Sequence, residues 1–339
     1  MVSIEVKRYR EGSVMTNPNV KHGRIKLSAI VAAEATDADI DFLAQLGLPY
    51  AYTWINDLAA RVDELIALKE RLAERGITLY NAGDYSVAKS YHIHLGTERR
   101  DEMIGKFADM VRAIGKAGIR YTTFTWEPDH VWSTPGGSTT RGGASCRLVD
   151  ERQLEGEAMR HGRVYEKEEL WGNFTYFMKK IIPIAEEAGV HLALHPNDPP
   201  MPMVGGVATL ISSAADYRRA FSIAGSPMLG MEFCCGCWLE GGGFENILDC
   251  LREFIRDRRV FITHMRNVSA PMPYFLETFL DDGYMDIYEL LRVFCEEDYD
   301  GTMIYDHTPI MTAGEQAAAA FEIGFIKATI NAINHQRSR

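Results

Sequence analysis

The sequence predicts a parallel (β/α)8 barrel, because eight short β-prone segments alternate with longer amphipathic helical segments. An open doubly wound sheet would need a glycine-rich phosphate-binding turn after its first strand. The segment SAIVAAEATDADI, residues 28–40, contains no G-x-G-x-x-G. A barrel is therefore favoured over a dinucleotide-binding fold. Its strands are predicted at residues 25–31, 50–55, 77–83, 121–126, 190–196, 228–234, 260–268 and 301–307.

The helical segments between these strands carry apolar residues at the i, i+3, i+4 and i+7 positions of an amphipathic helix. Residues 57–76 place one apolar stripe on a predicted helix that ends at Gly76, a usual helix stop. Gly118 and Gly189 precede later strands in the same way. The segments MDIYELLRVFCEEDY and EQAAAAFEIGFIKATINAI complete the seventh and eighth units.

The 339 residues are predicted to form a single barrel domain with one long insertion at residues 127–166, between the fourth strand and the fourth helix. This segment is polar and rich in glycine, and in a barrel it lies on the C-terminal face. Loops of this length are often lids or binding loops. A surface excursion or an oligomer contact is the alternative, and the chain leaves room for a homodimer or homotetramer.

Charge and hydropathy restrict the range of functions. The formal net charge is −11, which disfavours nucleic acid as a partner. Apolar runs are shorter than the ~18 residues of a membrane span. The N-terminal segment MVSIEVKRYREGS lacks the apolar core of a signal peptide. We therefore expect a cytoplasmic protein whose cysteines stay reduced, acting on a small molecule.

Four residues with metal-binding side chains fall at the C-terminal ends of four consecutive predicted strands. They are His195, Cys234, His264 and Asp306. Taken singly, each is more often a packed core residue, but the strand ends of a barrel surround one mouth, where active sites are found. Imidazole, thiolate and carboxylate groups together suit one divalent transition-metal ion. The shared position therefore predicts a metal site.

The segment FCCGCW, residues 233–238, contains three of the six cysteines and one C-x-x-C. A zinc ribbon needs a second such pair, which the sequence lacks, and a thioredoxin-type pair has no metal histidines nearby. We therefore expect Cys234 alone to bind the metal and the C-x-x-C spacing to be incidental. Cys235 is expected to face the helices. Cys237 is expected in the following loop, where it could contact a metal ligand.

Five motifs in order resemble those of the mannonate dehydratase family, a group within the xylose-isomerase-like barrels. They are HPNDPP (195–200), MEFCCGCW (231–238), FITHMRNV (261–268), GYMDIYELL (283–291) and YDHT (305–308). The likeness is clearest over residues 165–310. It implies an enzyme that uses Mn²⁺ or Fe²⁺ to remove water from a sugar acid, with mannonate giving 2-keto-3-deoxygluconate.

The resemblance also implies roles for individual residues. It makes His195, Cys234, His264 and Asp306 the metal ligands and His307 an acid/base residue. Tyr284, Asp198 and His130 lie on predicted loops of the same face. Tyr284 and Asp198 are candidate proton-transfer partners of His307, although Asp198 alternatively orients His195. Substrate contacts are predicted for Arg266, His94, Trp126, Glu127 and His130, of which Trp126 and Glu127 alternatively only pack in the barrel mouth.

The sequence departs from the family pattern in the residues expected to face the substrate. Residues 51–64, AYTWINDLAARVDE, lack the family's early histidines, and Ala320 stands where the family has a late tyrosine. We therefore predict a sugar-acid dehydratase for mannonate or a related aldonic acid. The alternatives are a metal-dependent sugar isomerase or epimerase, and an inactive homologue that binds a sugar acid.

Overall fold

A closed barrel of eight parallel strands forms the centre of the computed structural model, which describes residues 24–128, 131–154, 159–243 and 246–339. Each strand pairs with its neighbours in the sequence, and the eighth strand pairs with the first. The predicted fold is thus confirmed. The strands are Lys26–Ile30, Tyr50–Trp54, Thr78–Gly83, Tyr121–Thr125, His191–His195, Leu229–Cys234, Val260–Met265 and Thr302–Tyr305.

Helices follow the strands and cover the outside of the barrel. The predicted helix at residues 57–76 is shorter in the structure and begins at Val62. Asp57 has a positive φ of 54°, and the backbone N–H of Leu58 donates to Asp84 Oδ2, so residues 57–61 turn before the helix starts. The α-helices are Asp37–Gln45, Val62–Ala73, Tyr85–Ala88, Tyr91–His94, Arg100–Lys116, Lys167–Ala188, Ala214–Ala224, Cys235–Glu240, Ile247–Arg256, Ile287–Glu296 and Glu315–Arg337. Within the described part of the chain, no helix combines the length and apolarity needed to cross a bilayer.

The seventh predicted strand, residues 260–268, is divided in the structure. Val260–Met265 belongs to the barrel, whereas Asn267–Val268 pairs antiparallel with Tyr274–Thr278. Tyr274–Thr278 also pairs with Leu148–Asp150 from the long insertion. This three-stranded sheet ties the insertion to the end of the seventh strand. The rest of the insertion has two short strands, Ser138–Thr139 and Ser145–Cys146, and 3-10 turns at Arg141–Gly143 and Glu151–Leu154.

Candidate active site

The four predicted metal ligands meet at the mouth of the barrel. Cys234 and His264 lie opposite each other on paired strands. Ligand atoms of His195, Cys234 and His264 all lie within 4.8 Å of one another. Asp306 completes the group, with Oδ2 at 3.3 Å from the Cys234 sulfur and Oδ1 at 3.5 Å from Nδ1 of His264. The four side chains that strand position singles out therefore lie close together in the structure.

The surroundings of Cys234 favour the thiolate form of its side chain. Burial opposes ionisation, but a hydrogen bond from Cys237 and the charge of Arg266 hold the pKa of Cys234 well below its usual range. The Cys237 Sγ lies 3.4 Å from the Cys234 Sγ, and burial raises the pKa of Cys237, which stays a thiol. The expectation that the C-x-x-C spacing is incidental was wrong, because Cys237 donates to the thiolate. Cys237 also lies in the helix Cys235–Glu240, not in a loop.

The two histidines each present one nitrogen to this group. Nδ1 of His195 lies 2.6 Å from the carbonyl oxygen of Pro196, so an Nδ1–H donates there and Nε2 keeps its lone pair. Nδ1 of His264 is buried and has no hydrogen-bond partner among the described residues. Buried polar atoms are rarely left without a partner. Each imidazole thus offers a nitrogen that a metal ion could bind.

The composition of the group fits a divalent transition metal. A thiolate and the Asp306 carboxylate in contact repel each other, and Asp306 is also held ionised: burial opposes this, but His307, His264 and Arg266 keep its pKa well below the usual range. A divalent cation relieves that repulsion and satisfies the orphan nitrogen. Two imidazoles, a thiolate and a carboxylate suit Mn²⁺, Fe²⁺, Co²⁺ or Zn²⁺.

A second group of potential ligands lies beside the first, but arginine side chains fill it. Donor atoms of Asp198, Cys237 and Glu240 lie within 4.8 Å of one another. The fully buried guanidinium of Arg266 contacts Asp198 Oδ2 and Glu240 Oε1, each at 3.0 Å. Arg147, from the insertion, contacts Asp198 Oδ1 at 2.6 Å. We refer to these five residues, together with Glu277, as the arginine cluster.

Gly236 makes room for this arrangement. A Cβ at that position would collide with the guanidinium of Arg266. The FCCGCW segment therefore contributes to both groups. Cys234 belongs to the metal-ligand group, and Gly236 leaves space for Arg266, which pairs with the carboxylates of the arginine cluster.

His307 lies between the two groups and is cationic. Asp306 and Glu277 raise the pKa of His307 to about 9, against the effect of burial. Its Nδ1 lies 3.0 Å from Glu277 Oε1. Arg266 Nη1 lies 2.6 Å from the same oxygen. Glu277 thus fixes the ring of His307 at the edge of the open cavity.

A cavity of about 280 Å³ opens beside the metal-ligand group. Trp54 and Tyr85 stack with ring centroids 4.0 Å apart and form one wall. Lys89 is the single lysine or arginine among the described residues that line it, and its Nζ lies 3.2 Å from Glu127 Oε2. The cavity is also lined by Tyr52, His195, Asp198, Glu232, His264, Tyr305, Asp306 and His307.

Several predicted site residues do not line this cavity. Arg266 is enclosed by carboxylates, so its charge is already neutralised. Trp126 packs against His94 and Phe174 in the core. Burial and, to a smaller extent, the positive charge of Lys89 lower the pKa of His94 to about 3, so the imidazole is neutral. The Tyr284 hydroxyl donates to the Leu239 carbonyl.

The remaining predictions have mixed outcomes. Asp198 lines the cavity, but both its oxygens are bound by Arg147 and Arg266 rather than by His195. Those charges outweigh burial and lower its pKa, which makes it a poor proton carrier. Glu127 is buried behind Lys89 and accepts from the backbone N–H of Asp198. His130 lies outside the described residues.

Glu232, Tyr52 and Lys89 were missed by sequence reasoning. Glu232 has the same strand parity as Cys234, and that was an available signal. Tyr52 lies on the second strand, where burial raises its pKa and keeps the hydroxyl protonated. Lys89 follows a four-residue helix in a loop, and no local pattern indicates its direction.

Comparison with known proteins agrees with this geometry. Residues 148–330, over half of the chain, match the family model for D-mannonate dehydratase (UxuA). A mannonate dehydratase of Thermotoga petrophila is 25% identical over 341 residues, covering 89% of this chain and 90% of the relative. That of Thermotoga maritima is 26% identical over 299 residues, covering 76% and 80%.

Solved structures extend the comparison of the fold. A mannonate dehydratase from Streptococcus suis superposes with a TM-score of 0.80 at 21% identity, covering 93% of this chain and 95% of that one. The 3-keto-D-glucoside 4-epimerase YcjR of E. coli gives a TM-score of 0.63 at 14% identity, covering 90% and 99%. At these identities the likeness concerns the fold alone.

The closed barrel and its neighbours define the class as a xylose-isomerase-like (β/α)8 barrel. Within that class, the chain belongs to the D-mannonate dehydratase family. It is therefore an enzyme of the hydro-lyase type, and the predicted family is confirmed.

Proposed function

We propose that this enzyme uses one divalent metal ion to remove water from mannonate or a related aldonic acid, giving a 2-keto-3-deoxy acid. The observation that carries the proposal is the convergence of His195, Cys234, His264 and Asp306 beside an open cavity in a chain of this family. The four side chains would hold the ion. Mn²⁺ and Fe²⁺ are the ions that we expect first, since this mixed donor set accepts both.

Dehydration of a 2,3-dihydroxy acid requires the loss of a weakly acidic C2 proton and of a poor leaving group at C3. When bound, the ion supplies positive charge that stabilises the developing enediolate. A general base must accept the C2 proton, and a general acid must protonate the departing hydroxyl. His307 suits the second task, because its ring borders the cavity and its Nδ1 lies 3.0 Å from Glu277 Oε1, a contact that favours the protonated imidazole.

The residues that we propose for substrate recognition differ from those that the sequence predicts. We assign the substrate carboxylate to Lys89, because Arg266 is already enclosed by acidic groups. The stacked rings of Trp54 and Tyr85 offer an apolar face to the carbon skeleton. The hydroxyl of Tyr52, kept protonated by burial, can donate to a substrate hydroxyl.

A panel of aldonic acids tests the proposal. The purified protein is incubated with each acid and Mn²⁺, and the products are analysed for 2-keto acids. We expect a 2-keto-3-deoxy acid from mannonate or a close relative, with loss of turnover after chelation and in His307→Gln. A product of unchanged mass would instead show isomerisation or epimerisation. Metal binding without turnover on any acid would show an inactive homologue.

A further inference from the structure

Glu232 is an acidic residue in the most buried strand of the barrel. All six residues of Leu229–Cys234 are buried, and Glu232 is 2% exposed. Most of the others are apolar, as is usual for a strand covered on both faces. A carboxylate at such a depth is costly unless a specific partner compensates it.

That partner is His264. Glu232 Oε1 contacts Nε2 of His264, and the other imidazole nitrogen, Nδ1, lies 3.5 Å from Asp306 Oδ1. Glu232 stands two residues before Cys234 on the same strand face, so one strand supplies both groups. The two nitrogens of His264 thus have different surroundings. Nε2 contacts the Glu232 carboxylate, whereas Nδ1 lies beside Asp306 of the proposed metal-ligand group.

A neutral imidazole carries a proton on one nitrogen and a lone pair on the other. An ionised carboxylate only accepts, so contact with Glu232 requires the proton on Nε2. The lone pair is then on Nδ1, the buried nitrogen without a hydrogen-bond partner among the described residues. Histidines that bind metals are commonly oriented by a carboxylate in this way.

We propose that Glu232 is a positioning residue that holds the Nε2–H of His264 and so presents Nδ1 to the metal ion. The inference rests on the proposed metal site. Oε2 of Glu232 has no hydrogen bond within the described chain, and the residue lines the cavity, so one oxygen stays available to the cavity contents. Glu232 acts on the metal through His264 and is not itself a ligand.

Imidazole nitrogen chemical shifts test the orientation directly. The full chain is labelled with ¹⁵N-histidine, depleted of metal and reloaded with Zn²⁺, and the His264 signals are assigned by their absence in His264→Gln. We expect the proton on Nε2 and the metal on Nδ1. Zn²⁺ on Nε2 would overturn the proposal, because Glu232 could then not accept from that nitrogen.

Metal affinity gives a second readout that does not depend on activity. In Glu232→Ala we expect Zn²⁺ to bind about 10–100-fold more weakly, as for other carboxylates that orient a ligand. Glu232→Gln keeps an acceptor oxygen and should bind more tightly than Glu232→Ala. Asn81→Ala, which removes another buried polar side chain of the cavity, should bind as the wild type does.

The outcomes separate this inference from the proposed function. If Zn²⁺ binds the wild type and Glu232→Ala equally well, the role of Glu232 is refuted while the metal site stands. If the wild type binds no Zn²⁺, the metal site and this inference fall together. Thermal unfolding of the apo-proteins shows whether an altered affinity reflects loss of the fold, and Glu232→Gln remains the test in that case.

Discussion

Two groups of potential metal-binding side chains lie next to each other at the mouth of this barrel. His195, Cys234 and His264 form one, and Asp198, Cys237 and Glu240 form the other. In both groups, the potential donor atoms lie within 4.8 Å of one another. Arg147 and Arg266 both contact carboxylates of the second group. Arg266 also lies 3.7 Å from the Cys234 sulfur, but the first group keeps a thiolate and an orphan nitrogen. Donor spacing alone does not identify a metal site, and the local charge balance decides between the groups.

Removing the arginine that neutralises the second group should have the largest effect. In Arg266→Met, Asp198, Glu240 and Glu277 each lose a buried partner. We expect the free energy of unfolding to fall by about 3–5 kcal/mol, measured by urea denaturation. Arg99→Met is the control, since its pair with Glu102 is exposed and contributes little to stability. Equal losses would contradict the assigned role of the arginine cluster.

Glu322 is a buried carboxylate outside both groups, and it forms no hydrogen bond with an arginine among the described residues. Glu322 accepts from Thr308 and the backbone of Leu280, and burial raises its pKa from 4.5 to about 7. A raised carboxyl pKa stabilises the folded protein below pH 4.5, and this contribution is lost as the pH rises through 7.

The unfolding free energy of the wild type, relative to Glu322→Gln, should therefore decrease by about 3 kcal/mol between pH 4.5 and 8. Urea titrations at several pH values measure it. A constant difference between the two proteins across that range would show that folding does not raise the pKa of Glu322.

The two cysteines of the C-x-x-C should differ in their effect on metal affinity. Cys234→Ser removes a proposed ligand, and we expect Mn²⁺ binding, measured by calorimetry, to weaken by well over about 100-fold, beyond the effect of residues that only orient ligands. Cys237→Ser keeps a donor to the thiolate and should weaken it by less. Similar losses in both variants would instead favour a site that uses both sulfur atoms.

The smallest effect is expected at the edge of the cavity. Lys89→Met should raise KM for the acid substrate by about 10-fold or more, the value of one charged hydrogen bond, with little change in kcat. Steady-state kinetics measures both constants. Lys106→Met, on an exposed helix face, should leave KM unchanged. An unchanged KM in Lys89→Met would place the carboxylate elsewhere.

The barrel and the convergence of the proposed metal ligands were predictable because both follow from periodicity. Strand boundaries come from alternating segments, and His195, Cys234 and His264 inherit their positions from the strand ends. Arg266 shows the limit of this reasoning. Its sequence position suggests a substrate contact, but Asp198, after the fifth barrel strand, and Glu277, in the strand Tyr274–Thr278, already pair with its guanidinium.

The arginine cluster also depends on the insertion, whose path no local pattern encodes. Arg147 reaches Asp198 because Leu148–Asp150 joins the sheet beside Tyr274–Thr278. The sequence shows neither this pairing nor which cations are already neutralised. Substrate-facing residues were therefore harder to predict than ligands.

Titration of the metal-depleted protein with Co²⁺ tests the central claim most directly, because a thiolate bound to Co²⁺ gives a charge-transfer band in the near ultraviolet. We predict that the band saturates at one Co²⁺ per chain in the wild type and in Cys237→Ser, and that it is absent in Cys234→Ser. A band of undiminished intensity in Cys234→Ser, or no Co²⁺ binding by the wild type, would contradict the assignment of the metal site.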